Sequence, residues 1–140
     1  MKRIVPDASI VAAAFFQEEH ADAAQKILAS GRTLIAPDLL YAEIANVIWK
    51  RRHLGEITDD EAIELLNDAL ALPIEIITCR DLVDAALPLA LLTRRTVYDC
   101  LYLAAALNSN ATFITADRRL VNALARTPIS KHIAMLGEHR

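Results

Sequence analysis

Short apolar segments rich in β-branched residues alternate along this chain with longer segments of helical periodicity. The short segments predict five β-strands, RIV, TLIA, IEII, TFIT and HIAML. Between them, apolar residues recur at helical spacing over about 8–16, 20–30, 38–53, 58–72, 80–94, 97–109 and 117–126. Strands separated by helices are typical of a parallel sheet with helices on both faces. The pattern therefore predicts a single α/β domain over residues 1–140, a three-layer α/β/α arrangement around a central parallel sheet of four to five strands.

Several residues mark where the predicted helices begin, end or bend. Gly31 and Gly55 stand where two helices should end, and Thr58 with Glu61 makes a capping box that opens the fourth helix. Pro88 falls inside the fifth helical pattern, which predicts a kinked helix or one made of two pieces.

Composition and charge narrow the class of protein. Hydrophobic residues make up 54% of the chain and charged residues 24%, as in a well-packed globular domain. The net charge of −3 gives no strong positive field, so any contact with nucleic acid must come from local basic patches. Cys79 and Cys100 lie in separate apolar segments and are predicted to be reduced core residues. Because no apolar stretch is long enough to span a bilayer, we expect a cytoplasmic protein without a membrane contact.

Four of the five predicted strands are followed closely by an aspartate, namely Asp7, Asp38, Asp81 and Asp117. Ligands of parallel sheets bind at the carboxyl ends of the strands, so these residues are candidates for chemistry. Each could instead cap the helix that follows it, since aspartate is a favoured N-cap residue. The two interpretations are balanced for Asp7, the cap is favoured for Asp117 taken alone, and Asp38 and Asp81 are interpreted as caps.

Two further carboxylates lie within helical patterns. Glu43 falls inside the apolar stripe of the third helix, where a charged side chain needs a partner. A role as metal ligand is slightly favoured over the alternatives, a side chain that extends to solvent or a buried ion pair with an arginine. Asp99 is the only charged residue between Val97 and Leu107, a segment whose composition predicts a buried helix. Thr96 and Asp99 also fit a variant of the capping box, which explains an acid at this place without a metal.

If Asp7, Glu43, Asp99 and Asp117 converge, their repulsion requires a compensating cation. Two carboxylates about 5 Å apart repel by ~3 kcal/mol at an effective dielectric near 20. Oxygen ligands suit Mg²⁺ or Mn²⁺, and such a site can activate water for attack on a phosphodiester. The four histidines share no metal-ligand spacing and the three glycines are isolated, which argues against zinc and against a phosphate-binding loop.

Four segments resemble the motifs of the PIN-domain family, specifically the VapC-type ribonuclease toxins of bacterial type II toxin–antitoxin systems. VPDASIV is similar to the first-strand aspartate motif, and APDLLYAEIANVIWK is similar to the helix that carries the glutamate. TVYDCLYLAAAL resembles the Tyr-Asp-x-x-Tyr-Leu-Ala helix, and FITADRRL the closing Thr-x-Asp-x-x-Leu motif. The one departure is Pro6, which stands where an aliphatic residue is usual and lacks an amide donor.

The resemblance implies a PIN-like fold and an Mg²⁺-dependent endoribonuclease that hydrolyses RNA, often tRNA or rRNA, with Mn²⁺ able to replace Mg²⁺. It implies that Asp7, Glu43, Asp99 and Asp117 are catalytic and hold one or two metal ions, with Asp7 and Asp99 as the principal ligands. Thr115 would support this cluster by hydrogen bonding. The resemblance further implies a homodimer and a cognate antitoxin protein as partners.

Basic residues offer candidate contacts to the RNA backbone. Neighbouring arginines form three doublets, Arg51-Arg52, Arg94-Arg95 and Arg118-Arg119. The last doublet follows Asp117 directly, so we expect at least one of its arginines near the cleft. The basic run from Lys50 to His53 is also a candidate, although it is more simply a solvated helix end, where cations suit the helix dipole.

Tyr41, Ala45 and Trp49 recur every four residues on the third helix, away from its first apolar stripe. We interpret them as packing against the helix at 58–72. The alternative is a dimer or antitoxin surface, which a solvent-exposed Trp49 would favour.

Two other functions remain open. The chain could be a catalytically inactive PIN-like domain that binds RNA or protein, with its acids acting only as helix caps. It could also be a phosphatase of the haloacid dehalogenase type with Asp7 as nucleophile. That chemistry usually needs a second acid two residues later, where this chain has Ser9.

Overall fold

The structure is a computed structural model that describes residues 2–16 and 19–138. The strands are β1 (Arg3–Pro6), β2 (Thr33–Pro37), β3 (Ile74–Ile77), β4 (Thr112–Thr115) and β5 (Ile133–Met135). The helices are α1 (Ala8–Phe15), α2 (Ala21–Leu28), α3 (Leu39–His53), α4 (Asp59–Leu70), α5 (Cys79–Thr93), α6 (Val97–Asn108) and α7 (Arg118–Leu124). A short 3₁₀ helix, Pro128–His132, precedes β5 and was not predicted from the pattern.

All five strands are parallel and lie in the order β3-β2-β1-β4-β5. The predicted α/β class with a central parallel sheet is therefore confirmed. Strand β1 occupies the centre, paired with β2 on one side and β4 on the other. Pro6 is the last residue of β1, and the amide of Asp7 continues the ladder by donating to the Ile114 carbonyl at 3.2 Å. The missing amide of Pro6 thus leaves the register intact.

Alternate residues of the strands pack into two hydrophobic cores, one on each face of the sheet. Ile4 and Ile114 pack with Ile10 of α1 and Ile27 of α2. Their neighbours Val5, Ile35 and Phe113 pack on the other face, in a larger core to which α3, α5 and α6 contribute. The predicted burial of α6 is confirmed, because every residue from 100 to 106 is buried. Helix α6 is therefore packed in the core along most of its length, and its first turns contribute Tyr98, Asp99 and Tyr102 to a cavity that the other predicted acids also line.

Helix ends follow the sequence signals in some places and depart from them in others. The capping box of Thr58 and Glu61 is present, with both hydrogen bonds formed. Gly31 and Gly55 follow α2 and α3 with positive φ angles of 80° and 76°, which glycine adopts readily. Helix α5 continues through Pro88 as one helix rather than as two pieces.

Asp38 occupies the predicted N-cap position of α3 but makes no capping hydrogen bond through its side chain, and the interpretation of Asp81 as a cap is wrong. The Asp38 carboxylate accepts the amide of Cys79, the first residue of α5, at 2.9 Å. The side chain of Cys79 and then this amide hydrogen bond lower the pKa of Asp38. The hydrogen bond forms because β2 and β3 are neighbouring parallel strands, which brings the start of α5 beside the end of β2. Asp81 lies inside the first turn of α5, whose N-cap is Thr78.

The two cysteines are both free, Cys100 buried and Cys79 half-buried. Among the described residues, the helices are either too short or too polar to cross a bilayer.

Candidate active site

A cavity of about 690 Å³ opens at the carboxyl ends of β1 and β4, where the chain order of the sheet reverses. This reversal point is where open parallel sheets usually bind ligands, because the connections on its two sides leave a crevice. The four predicted acids, Asp7, Glu43, Asp99 and Asp117, all line the cavity. They come from four separate parts of the chain.

Asp7 follows β1 directly and serves as both helix cap and cavity wall. Its Oδ1 accepts the Ile10 amide at 3.2 Å and the Ser9 hydroxyl, while its Oδ2 accepts the Thr115 hydroxyl at 2.5 Å. Burial raises the pKa of Asp7, and these hydrogen bonds oppose that effect. The two interpretations of Asp7 are therefore compatible, because the carboxylate caps α1 and also lines the cavity.

Thr115, the last residue of β4, joins the two central strands at the cavity. Its side chain is fully buried, and its Oγ1 both donates to Asp7 and accepts the amide of Asp117 at 3.1 Å. Asp117 caps α7 as predicted, because its Oδ1 accepts the amides of Arg119 at 3.0 Å and Leu120 at 3.2 Å. One threonine hydroxyl thus holds two of the acids in place.

Asp99 lies in the first turn of α6 and lines the same cavity as Asp117. The Thr96 hydroxyl oxygen accepts the Asp99 amide at 3.1 Å, so the predicted threonine cap is confirmed. Burial raises the pKa of Asp99, and the negative charge of Asp117 raises it further. The positive charge of Arg95 acts in the opposite direction. The effect of the Asp117 charge on the pKa of Asp99 indicates that the two carboxylates belong to one charged cluster.

Glu43 is half-buried on α3, and its partner in the structure is a tyrosine rather than an arginine. The Tyr102 hydroxyl donates to Glu43 Oε1 at 2.6 Å. Tyr102 is only 3% exposed, and its ring stacks on Phe113 with centroids 5.4 Å apart. Burial and the bond to Glu43 raise the pKa of Tyr102, so the phenol stays protonated and remains a donor. Sequence reasoning missed this role, although Tyr102 lies within the third motif.

The donor set can be tested against a divalent cation. Four carboxylates in one cavity offer oxygen ligands of the kind that Mg²⁺ and Mn²⁺ prefer. Within residues 2–16 and 19–138, no three acidic, histidine or cysteine side chains lie close enough together to enclose an ion. Mg²⁺ commonly binds through one or two carboxylates and keeps several waters, so the residues fit the ion in kind and do not form a closed cage.

Comparison with known proteins agrees with this architecture. The PIN domain family model matches residues 4–126, which is most of the chain. The chain belongs to the PIN-domain family. It is 31% identical over 120 residues to "Ribonuclease VapC3" of Pyrobaculum aerophilum, covering 84% of this chain and 92% of that protein. The predicted resemblance to VapC-type members is confirmed.

Solved structures share the fold of this PIN domain. PAE2754 from Pyrobaculum aerophilum superposes with a TM-score of 0.67 at 24% identity, covering 86% of this chain and 78% of that chain. A toxin–antitoxin complex from Klebsiella pneumoniae superposes with a TM-score of 0.64 at 15% identity, covering 97% and 99% of the two chains.

Positive charge is sparse around the cavity of the PIN domain. The described cavity lining contains one cation, Lys50, which belongs to the basic run considered from the sequence. It also contains the polar side chains of Ser9 and Asn46, which sequence reasoning did not assign to the site. Glu43, Asn46 and Lys50 lie three and four residues apart, which places them along one face of α3. This spacing could have been recognised in the sequence. The three side chains form a polar side of the cavity.

The predicted arginine contacts lie outside this lining. Arg118 is exposed and forms a two-bond ion pair with Glu138, at 2.5 and 2.9 Å. Arg94 and Arg119 are exposed, and Arg95 is half-buried beside Asp99. Their contact with RNA stays a prediction.

The second face of α3 is only partly covered by α4. Trp49 is 58% exposed and stacks on His53, with ring centroids 5.2 Å apart. With Ala45 it lines an apolar groove of about 440 Å³, whose other wall includes Ala62 and Ile63 of α4. The predicted packing against α4 therefore exists, but the exposure of Trp49 favours the alternative that this face meets a partner.

Proposed function

We propose that this protein is a Mg²⁺-dependent endoribonuclease, the toxin of a toxin–antitoxin pair, which cleaves RNA by hydrolysis. The observation that carries the proposal is that Asp7, Glu43, Asp99 and Asp117 line a single cavity where the sheet order reverses. The membership in the PIN-domain family and the 31% identity to a ribonuclease support it.

Each side chain has a distinct task in this proposal. Asp7 and Asp99 are the principal ligands of the ion, and Glu43 and Asp117 complete the negative cluster. When bound, a divalent cation lowers the pKa of coordinated water and stabilises charge on the phosphoryl oxygens. Mn²⁺ can replace Mg²⁺, because both ions accept oxygen ligands.

Neighbouring residues hold this cluster and the substrate. The Thr115 hydroxyl fixes Asp7 and the backbone of Asp117, and the Tyr102 hydroxyl fixes Glu43. These bonds limit the rotation of the carboxylates, so less conformational freedom is lost when an ion and a phosphate bind. Lys50, as the cation within the described lining, contacts a phosphate of the RNA.

The partners follow from the same family relationship. We propose tRNA or rRNA as substrate in the cytoplasm, a cognate antitoxin as regulator, and a homodimer as the assembled toxin. The exposed face of α3 around Trp49 is consistent with a protein partner, since tryptophan is enriched at the centres of such interfaces.

The alternative function is a catalytically inactive PIN-like domain that binds RNA or protein. It is favoured by the finding that no three potential ligands among the described residues lie close enough to enclose an ion. Three of the acids also have structural tasks, since Asp7 and Asp117 cap helices and Asp99 occupies the first turn of α6.

The test is cleavage of a mixed tRNA and rRNA pool by purified protein with Mg²⁺, with Mn²⁺ and with EDTA. Asp99→Asn is made in parallel, with Asp22→Asn as the matched control, because Asp22 is an exposed aspartate on α2. We expect discrete fragments from the wild type and Asp22→Asn only when metal is present, and none from Asp99→Asn. Equal cutting by all three proteins would contradict the assignment of catalysis to the acidic cluster and indicate a contaminating nuclease or another mechanism. No cutting by the wild type freed of antitoxin would favour the alternative.

A further inference from the structure

The cavity lining contains three aromatic side chains, and one of them has no partner within the described structure. Tyr102 and Phe113 are almost fully buried, at 3% and 1% exposed, and their rings stack on each other. Tyr98 is 63% exposed, and neither a ring stack nor a side-chain hydrogen bond joins it to another of the described residues. Exposure alone is ordinary for a tyrosine, so the significance of Tyr98 lies in its place at the cavity that contains the acids.

The backbone of Tyr98 is held by the first turn of α6. Tyr98 directly precedes Asp99, whose amide donates to the Thr96 hydroxyl oxygen at 3.1 Å. Cys100 and Leu101, which follow, are buried, so this turn is anchored in the core. A tyrosine side chain has only two torsions, so little conformational entropy is lost when its ring binds a partner. The ring is therefore an available contact surface next in sequence to a candidate metal ligand.

We propose that Tyr98 is a specificity-determining residue of the site, whose ring stacks on an unpaired base of the RNA beside the phosphate that is cleaved. Stacking on aromatic side chains is a principal way in which proteins hold single-stranded RNA, because its bases expose their faces. The faces of bases inside a duplex are covered by their neighbours. The inference rests on the proposed cleavage of RNA and assigns the residue that contacts a base there.

The sparse positive charge at the cavity supports an uncharged contact of this kind. Lys50 is the one cation in the described lining, which also contains the four acids. Attraction between cations and phosphates is usually the main source of affinity for nucleic acid, and it increases with the number of phosphates that are neutralised. A lining with one lysine gains little from this source. Stacking on Tyr98 supplies affinity that does not depend on charge.

The test compares Tyr98→Leu with Tyr98→Phe in the full-length protein. Leucine removes the ring but keeps an apolar side chain, whereas phenylalanine keeps the ring and removes the hydroxyl. The probe is a fluorescein-labelled, unstructured RNA of mixed sequence, about 12 nucleotides long, which is within the range of single-strand binding sites. Its binding is measured by fluorescence anisotropy with Ca²⁺ in place of Mg²⁺, and its cleavage is measured with Mg²⁺.

We expect Tyr98→Leu to raise both Kd and KM at least about fivefold, the lower end of the effect of removing one stacked base. The kcat should be nearly unchanged, because the base is stacked in the ground state and the transition state alike. Tyr98→Phe should stay within about twofold of the wild type, because it retains the ring. Tyr41→Leu is the matched control, since Tyr41 lies on α3 outside the lining, and it should match the wild type.

Two further readouts separate stacking from a merely structural role of Tyr98. The fluorescence of 2-aminopurine, placed at each position of the RNA in turn, falls when this base stacks on an aromatic ring. We expect such a fall at one position with the wild type and Tyr98→Phe, and not with Tyr98→Leu. The salt dependence of binding should be the same for the wild type and Tyr98→Leu, because the substitution removes no charge.

The outcomes distinguish this inference from the proposed function. A wild type that cleaves RNA while Tyr98→Leu binds and cleaves equally well would overturn the inference and leave the proposed function standing. So would equal binding of the same RNA annealed to its complement, or a Tyr98→Phe variant as weak as Tyr98→Leu. An antitoxin that binds Tyr98→Leu more weakly, with RNA binding unchanged, would assign the ring to the protein partner instead. A wild type that neither binds nor cleaves RNA would contradict the proposed function and the inference together.

Discussion

Tyr102→Phe removes one oxygen atom from the candidate site and should weaken metal binding without unfolding the protein. The lost hydroxyl is the group that donates to Glu43 Oε1 at 2.6 Å. Residues that orient metal ligands typically contribute 10–100-fold to metal affinity or activity. At about 1.4 kcal/mol for each factor of ten, the expected loss is roughly 1.4–2.8 kcal/mol of metal binding.

The stability of the fold should change much less. Phenylalanine retains the stacking on Phe113, and the half-buried Glu43 lines an open cavity where water can replace the phenol. We therefore expect the free energy of unfolding to change by less than about 1 kcal/mol, within the usual net contribution of one hydrogen bond.

The assay is the initial rate of cleavage of a fluorescent RNA as a function of Mg²⁺ concentration. Tyr102→Phe should need at least tenfold more Mg²⁺ for half-maximal rate and should approach the wild-type rate at saturation. Tyr41→Phe, the same atomic change on α3 but outside the cavity lining, is the control and should match the wild type. The reasoning is refuted if Tyr102→Phe has the wild-type Mg²⁺ dependence, or if its rate falls equally at all concentrations.

Four further predictions follow from individual residues. Asp99→Asn should abolish cleavage yet raise the melting temperature of the metal-free protein at neutral pH. The folded-state pKa of Asp99 lies above its ordinary value of 3.8, so its ionised form disfavours folding; the difference in melting temperature should narrow as the pH falls towards 4. Thr115→Val should lower the free energy of unfolding by about 1–3 kcal/mol, measured in urea, because it removes the donor to Asp7. Lys50→Gln should raise KM, leave kcat nearly unchanged and reduce the salt dependence of RNA binding. Thr58→Ala should cost about 1 kcal/mol in urea unfolding through the lost cap, with no effect on cleavage.

The sheet and the four acids could be predicted because each depends on local pattern. Runs of β-branched residues predicted the five strands. Asp7 follows β1 and Asp117 follows β4, and the two lie at the same edge of the sheet because these parallel strands are neighbours. Glu43 and Asp99 were identified because a charge in an apolar stripe or on an uncharged helix is costly without a partner. The four motifs that contain these acids resemble those of one family, and the model of that family matches residues 4–126.

The hydrogen-bond partners of the acids could not be predicted, because they lie in distant segments and periodicity describes only neighbouring residues. Glu43 and Tyr102 are 59 residues apart, and Asp38 reaches the amide of Cys79 across 41 residues. The local preference of aspartate for its own helix therefore gave the wrong partner for Asp38.

The central claim is that the four carboxylates of the cavity bind a divalent cation as one site. Its most direct test is electron paramagnetic resonance of Mn²⁺ titrated into purified wild type, Asp99→Asn and Asp22→Asn, without RNA. The account predicts that the wild type and Asp22→Asn remove the signal of free Mn²⁺ alike, and that Asp99→Asn binds at least tenfold more weakly. A wild type that leaves the free signal unchanged at millimolar Mn²⁺, or an Asp99→Asn variant that binds as well as the wild type, would contradict it.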